Sequence, residues 1–130
     1  MKSKITTQHR VDQLIHHFWK NGFLTLSRRY GKYLPEPRPV GNYQVDAVGK
    51  YKRKMVFGII LREEELNDPK IISKLDFLAS QHSKSSTKKI SLFVGVPSSY
   101  LNKAKMIVKS LPEQSQKNIK LIALNDEQAF

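Results

Sequence analysis

Apolar residues recur along this chain at two different spacings, and the change from one to the other marks out its elements. From Ile5 to Lys20, the residues Val11, Leu14, Ile15, Phe18 and Trp19 form the stripe of a helical period. Thr6 or Thr7 can cap that helix at its start and Asn21-Gly22 can close it, with Phe18 and Trp19 expected to pack inward. Phe23 to Leu26 then reads as a short strand, and Leu34 to Pro39 (LPEPRP) as a stiff extended loop. Val40 to Glu65 places two apolar runs around the basic turn Gly49-Lys50-Tyr51-Lys52-Arg53-Lys54, which predicts a β-hairpin. Its second run, Met55 to Leu61, carries no charge until Arg62, as expected of a strand covered on both faces.

Beyond the hairpin the helical spacing returns. Asp68-Pro69 starts a helix, with Ile71, Ile72, Leu75, Phe77, Leu78 and Ala79 on its apolar face through about Gln81. His82 to Lys89 is a polar, basic loop, and Ile90 to Val96 is a further buried strand. Pro97-Ser98 opens a helix that Pro112 stops, Ile119 to Leu124 is the last strand, and Asn125 to Phe130 is a short tail. The predicted order is α-β-β-β-α-β-α-β: an α/β fold with a mixed central sheet flanked by helices. The first three strands form a meander and the last two run parallel across a helical connection. Val45, Val48, Phe57, Ile59, Leu61, Leu92, Val94, Leu121 and Ile122 are the expected sheet core.

Charge changes this picture. The chain has 130 residues with 23 basic and 11 acidic side chains, a formal net charge of +12. Residues 1–54 hold 12 basic against 3 acidic, whereas residues 55–130 hold 11 against 8. A basic surface of this size attracts polyanions, so nucleic acid is the expected partner, against a merely solubilising surface or an acidic protein. The length fits a single domain over 1–130. The absence of cysteine excludes disulfides, thiolate metal sites and cysteine nucleophiles, and fits a cytoplasmic location. No run is long and apolar enough for a membrane span. There is no GxxxxGK[ST], GxGxxG or GxSxG sequence, and His9 and His16, two helical turns apart, cannot share a metal.

One residue stands out chemically. Asp46 is the lone acid of the first hairpin run, and an aspartate between buried strands must be solvated in a cleft, paired, or bound to a metal. Gly41-Asn42-Tyr43-Gln44-Val45-Asp46-Ala47-Val48-Gly49 resembles the segment that holds the first metal-binding aspartate of the restriction-endonuclease-like PD-(D/E)xK nucleases. Met55 to Arg62 resembles their next strand. Ile90 to Val96, with Asn118 to Leu124, is similar to the strand-helix-strand ending of Mrr-type domains, and within the superfamily the chain most resembles the Holliday-junction-resolvase and Mrr-type branches. The resemblance covers about residues 9–127.

The resemblance implies a restriction-endonuclease-like fold, DNA as partner, and Mg2+ or Mn2+ as cofactor only if the site is active. Such chemistry needs a carboxylate (or Gln) and a Lys two positions apart on the second strand, beside Asp46. This sequence offers Ile59 and Leu61, or Ile60 and Arg62 in the alternative register; neither restores a carboxylate, and a guanidinium cannot act as a base. The expectation is therefore a nucleic-acid-binding domain with a degenerate, inactive site and no cofactor. The alternatives are a migrated metal site of Asp46 with Glu63 or Glu64, assisted by Arg62, or a partner-binding structural subunit, as a homodimer or in a larger complex. Arg28, Arg29, Lys32, Arg38, Lys50, Lys52, Arg53 and Lys54 are the expected nucleic-acid contacts, on loops taken to flank the cleft.

Overall fold

The computed structural model describes residues 7–83 and 88–124. Ile5 and Thr6 of the predicted first helix, the middle of the 82–89 loop and the tail after Leu124 lie outside the described residues. Helix α1 spans Thr7–Lys20 and ends as expected: Gly22 takes φ +86°, and Phe23 N–H donates to the Phe18 carbonyl at 2.9 Å. Strands β1 (Leu24–Arg28), β2 (Ala47–Tyr51) and β3 (Lys54–Ile60) form an antiparallel meander. Strands β4 (Ser91–Pro97) and β5 (Ile119–Leu124) add in parallel, so the sheet runs β1-β2-β3-β4-β5. This is the predicted mixed α/β sheet with flanking helices.

The alternation of β3 divides the core in two. Phe57, Ile59 and Leu61 face helices α3 (Ile71–Ala79) and α4 (Leu101–Lys109), together with Leu92 and Val94 of β4. Val56 and Ile60 face α1, where Val11, Leu14 and Phe18 close over Phe93 and Ile122. Helix α1 sits close to the sheet because Gly58 lies beneath it. A methyl group there would come within 2.7 Å of Leu14 Cδ2 and 2.8 Å of Phe18 Cζ. Val48 and Leu121, expected in the core, are only partly buried against it.

Four expectations need correction. Trp19 is 74% exposed, because the sheet ends at β1 and offers nothing for the edge of the apolar stripe to cover. The first hairpin strand starts at Ala47 rather than near Val40; Val40 and Tyr43 instead bridge each other in the loop before it. Helix α3 begins at Ile71, two residues later than Pro69, although Asp68 makes the capping bond, its Oδ1 accepting from the Lys70 N–H at 3.0 Å. Two short helices were not predicted, α2 (Glu63–Leu66) and α5 (Glu113–Lys117), the second starting directly after the Pro112 that ends α4's connection. No helix among the described residues is long and apolar enough to cross a membrane.

Candidate functional site around Asp46

Asp46 precedes β2 by one residue, and its backbone continues the ladder on both sides. Its N–H donates to the Gly58 carbonyl at 2.8 Å, and its own carbonyl accepts from Arg29 N–H at 2.9 Å. That second contact depends on an irregularity in β1. Leu24 pairs with Lys50 and Thr25 with Gly49, but Ser27 pairs with Val48, so Leu26 is a bulge. In an unbulged strand Arg28 would stand opposite Asp46; the extra residue brings Arg29 there instead.

Both carboxylate oxygens of Asp46 are engaged. Oδ1 accepts from Arg29 Nη1 at 3.0 Å, and Oδ2 accepts from the Ile60 N–H at 2.7 Å. Asp46 is buried, at 6% exposure, so this pairing satisfies a charge that would otherwise be very costly there. Arg29 is itself held by Tyr30, whose hydroxyl accepts from Nη2 at 2.9 Å and whose ring centroid lies 4.9 Å from the guanidinium carbon. Tyr30 adopts φ +61°, an unfavourable backbone state for a non-glycine residue. Burial pulls the Arg29 pKa down. The Asp46 hydrogen bond and charge, with smaller contributions from Tyr30 and Glu36, outweigh it and raise the pKa above its ordinary value.

A cleft of about 530 Å³ opens beside this pair, lined by Ile60, Arg62, Glu64, Glu65, Lys74 and Arg10 among others. The register left open by the sequence is thereby resolved. Ile60 and Arg62 face the cleft with Asp46, while Ile59 and Leu61 are buried on the α3 side. Glu63 does not line the cleft. The chain turns into α2 at that residue, and Glu64 and Glu65 are the ones brought round to it. Glu65 is occupied: its Oε2 accepts from Lys74 Nζ at 3.0 Å, and its Oε1 accepts from the Arg62 backbone N–H at 3.3 Å.

These residues do not fit a catalytic Mg2+ or Mn2+. Such sites gather two or more carboxylates with oxygens directed at the ion. Here Asp46 has both oxygens committed, and the neighbouring cleft-facing positions Ile60 and Arg62 bring no carboxylate to it. Among the described residues no three His, Asp or Glu side chains are grouped to hold a metal.

The basic residues expected around the cleft are dispersed. Arg28 pairs with Asp12 of α1, and its Nε donates to the Arg29 carbonyl at 3.2 Å. Arg28 and Arg29 are thus each paired with an acid of the protein, Asp12 and Asp46. Lys32 and Arg38 are exposed on the loop after β1. Lys50, Lys52, Arg53 and Lys54 lie at the far end of β3, about 20 Å from Ile60 at some 3.3 Å per residue, and so do not flank the cleft. Arg10 and Lys74 line the cleft and Tyr30 holds Arg29 from outside it, none of them expected there; Tyr30 had only the Arg-Tyr interleaving of residues 28–33 as a signal, and that pointed to base stacking.

No family model and no curated protein matches this chain. Among solved structures it is similar to the crystal structure of a repair endonuclease from Pyrococcus abyssi, with 14% sequence identity and a TM-score of 0.47. The match covers 97% of this chain and 50% of that one, so the chain spans about half the length of the protein it resembles.

Proposed function

We propose that the chain is a nucleic-acid-binding domain of the restriction-endonuclease-like PD-(D/E)xK type, in which a structural ion pair occupies the catalytic position. The observation that carries this reading is the double commitment of Asp46, to Arg29 and to the Ile60 N–H. A catalytic aspartate must present oxygen to a metal or to water; this one presents both oxygens to protein donors. The element order and the aspartate before the second strand of the meander support the fold assignment. The net charge of +12 supports a polyanionic partner, with DNA favoured by the resemblance.

Two measurements test the reading together. Purified protein should leave supercoiled plasmid and four-way junction DNA intact with Mg2+ or Mn2+, while retarding duplex, junction or single-stranded DNA in a gel at low salt. Cleavage abolished by Asp46→Ala overturns the inactive reading in favour of a site completed by Glu64. Failure to retard any nucleic acid leaves a partner-binding subunit as the better description.

A further inference from the structure

The β2–β3 pairing sets Tyr51 opposite Lys54, which leaves Lys52-Arg53 as a two-residue tip with Lys52 at φ +54°. Lys50, Lys52, Arg53 and Lys54 are all exposed there. The rest of the fold converges on the same end of the sheet. Strand β1 begins opposite Lys50, β4 and β5 begin beside the first half of β3, and α1 finishes nearby at Lys20. Lys120 joins these elements, its Nζ donating to Asn21 Oδ1 at 3.2 Å. A groove of about 270 Å³ runs between Tyr51, the tip and Lys88.

Acidic residues are distributed the opposite way. Asp46 and the Glu63-Glu64-Glu65 run sit at the cleft end, where Arg29 and Lys74 are already paired with Asp46 and Glu65. On the helices leading into β4 and β5, Asp76 accepts from Ser115 Oγ and Glu113 pairs with Lys117, so neither acid opposes the tip. Among the described residues no ion pair joins an acid to Lys50, Lys52, Arg53 or Lys54, whereas Arg29 and Lys74 at the cleft end are paired.

We infer that the hairpin end, and not the Asp46 cleft, is the surface that holds the phosphate backbone of a nucleic acid. This rests on the nucleic-acid-binding reading above and says where that binding occurs. Exposed lysines on a tight turn contact phosphates without reading bases, so sequence preference is weak and affinity falls as salt rises.

The test compares three variants on a random-sequence DNA duplex and a single strand of equal length, across a salt series. Lys52→Glu/Arg53→Glu should weaken duplex binding at least tenfold and make the log affinity against log salt slope shallower by about 2. Lys50→Gln/Lys54→Gln, which leaves the turn residues in place, should weaken it in the same direction, and thermal melts check that both variants fold. Arg62→Glu in the cleft should change affinity by less than about threefold. Unchanged binding by folded tip variants, or loss of binding with Arg62→Glu, overturns the placement while leaving nucleic-acid binding intact. A wild-type protein that binds neither DNA overturns the underlying reading instead.

Discussion

Asp46 and Arg29 differ in how much water each still meets, and that difference sets what their pair contributes. The Asp46 side chain is 9% exposed and the Arg29 side chain 31%. Removing the arginine leaves a buried carboxylate with the Ile60 N–H alone. Arg29→Ala should therefore cost about 1.5–3 kcal/mol, the range for a charged hydrogen bond, rather than the roughly 3–5 kcal/mol of a fully enclosed pair. Asp46→Asn should also destabilise, by less, since its amide oxygen can keep the Ile60 bond. Carboxylates gathered for a metal behave in the opposite way, because neutralising one relieves repulsion. Urea unfolding of the two variants distinguishes these cases, and a stabilised Asp46→Asn protein would count against a structural role. That Asp46 needs a partner was legible in the sequence from its apolar flanks. Which partner was not, because the identity of the arginine depends on the bulge at Leu26, and one residue of register exchanges Arg28 for Arg29.

The packing of α1 on the sheet depends on Gly58, so the element scale has a direct test. Gly58→Ala places a methyl group against Leu14 and Phe18, both fully buried, and should cost about 1–3 kcal/mol through overpacking. Combined with Leu14→Ala the losses should not add, because the smaller side chain makes room for the methyl; strict additivity in thermal unfolding would show that α1 does not rest on this site. The far end of α1 responds to pH. Burial first, then the charges of Lys20, His16 and Lys120, lower the His17 pKa from 6.5, against the preference of a helix C-terminus for a cation. The unfolded chain then binds the His17 proton more readily, so His17's contribution is fully present above pH 6.5 and is lost as pH falls through the folded value. Melting temperatures between pH 8 and 5 should decline less in His17→Asn than in the parent, and equal declines would remove His17 as the cause. The strands and α1 were legible because their spacing repeats over enough residues to define a period. Helices α2 and α5, of four and five residues, are too short to establish one. Trp19 was misplaced because periodicity gives the direction of a side chain but not the width of the sheet beneath it.

At the scale of the whole molecule, charge and apolar surface act against each other. Strand β1 lies at one edge of the sheet, and among the described residues only β2 pairs with it. Leu24 is 69% exposed and Leu26 44%, with Trp19 of α1 beside Leu24. An edge strand carrying exposed leucines invites pairing with a second copy. Two features oppose that: the bulge at Leu26, which interrupts a regular edge, and the net charge of +12, which makes copies repel. Only the second depends on salt. At roughly 0.01 M ionic strength the screening length is about 30 Å and whole molecules repel, whereas near 1 M it is about 3 Å and apolar contact is left unopposed. Self-association should therefore increase with salt, the reverse of the dependence for a polyanion held by the same lysines. Sedimentation of the protein alone, from low to high NaCl, should move from monomer toward dimer, and Leu26→Lys should suppress the shift by placing a charge on the edge itself. Dissociation on adding salt, or a shift indifferent to Leu26→Lys, would place the contact elsewhere and make β1 an ordinary solvated edge.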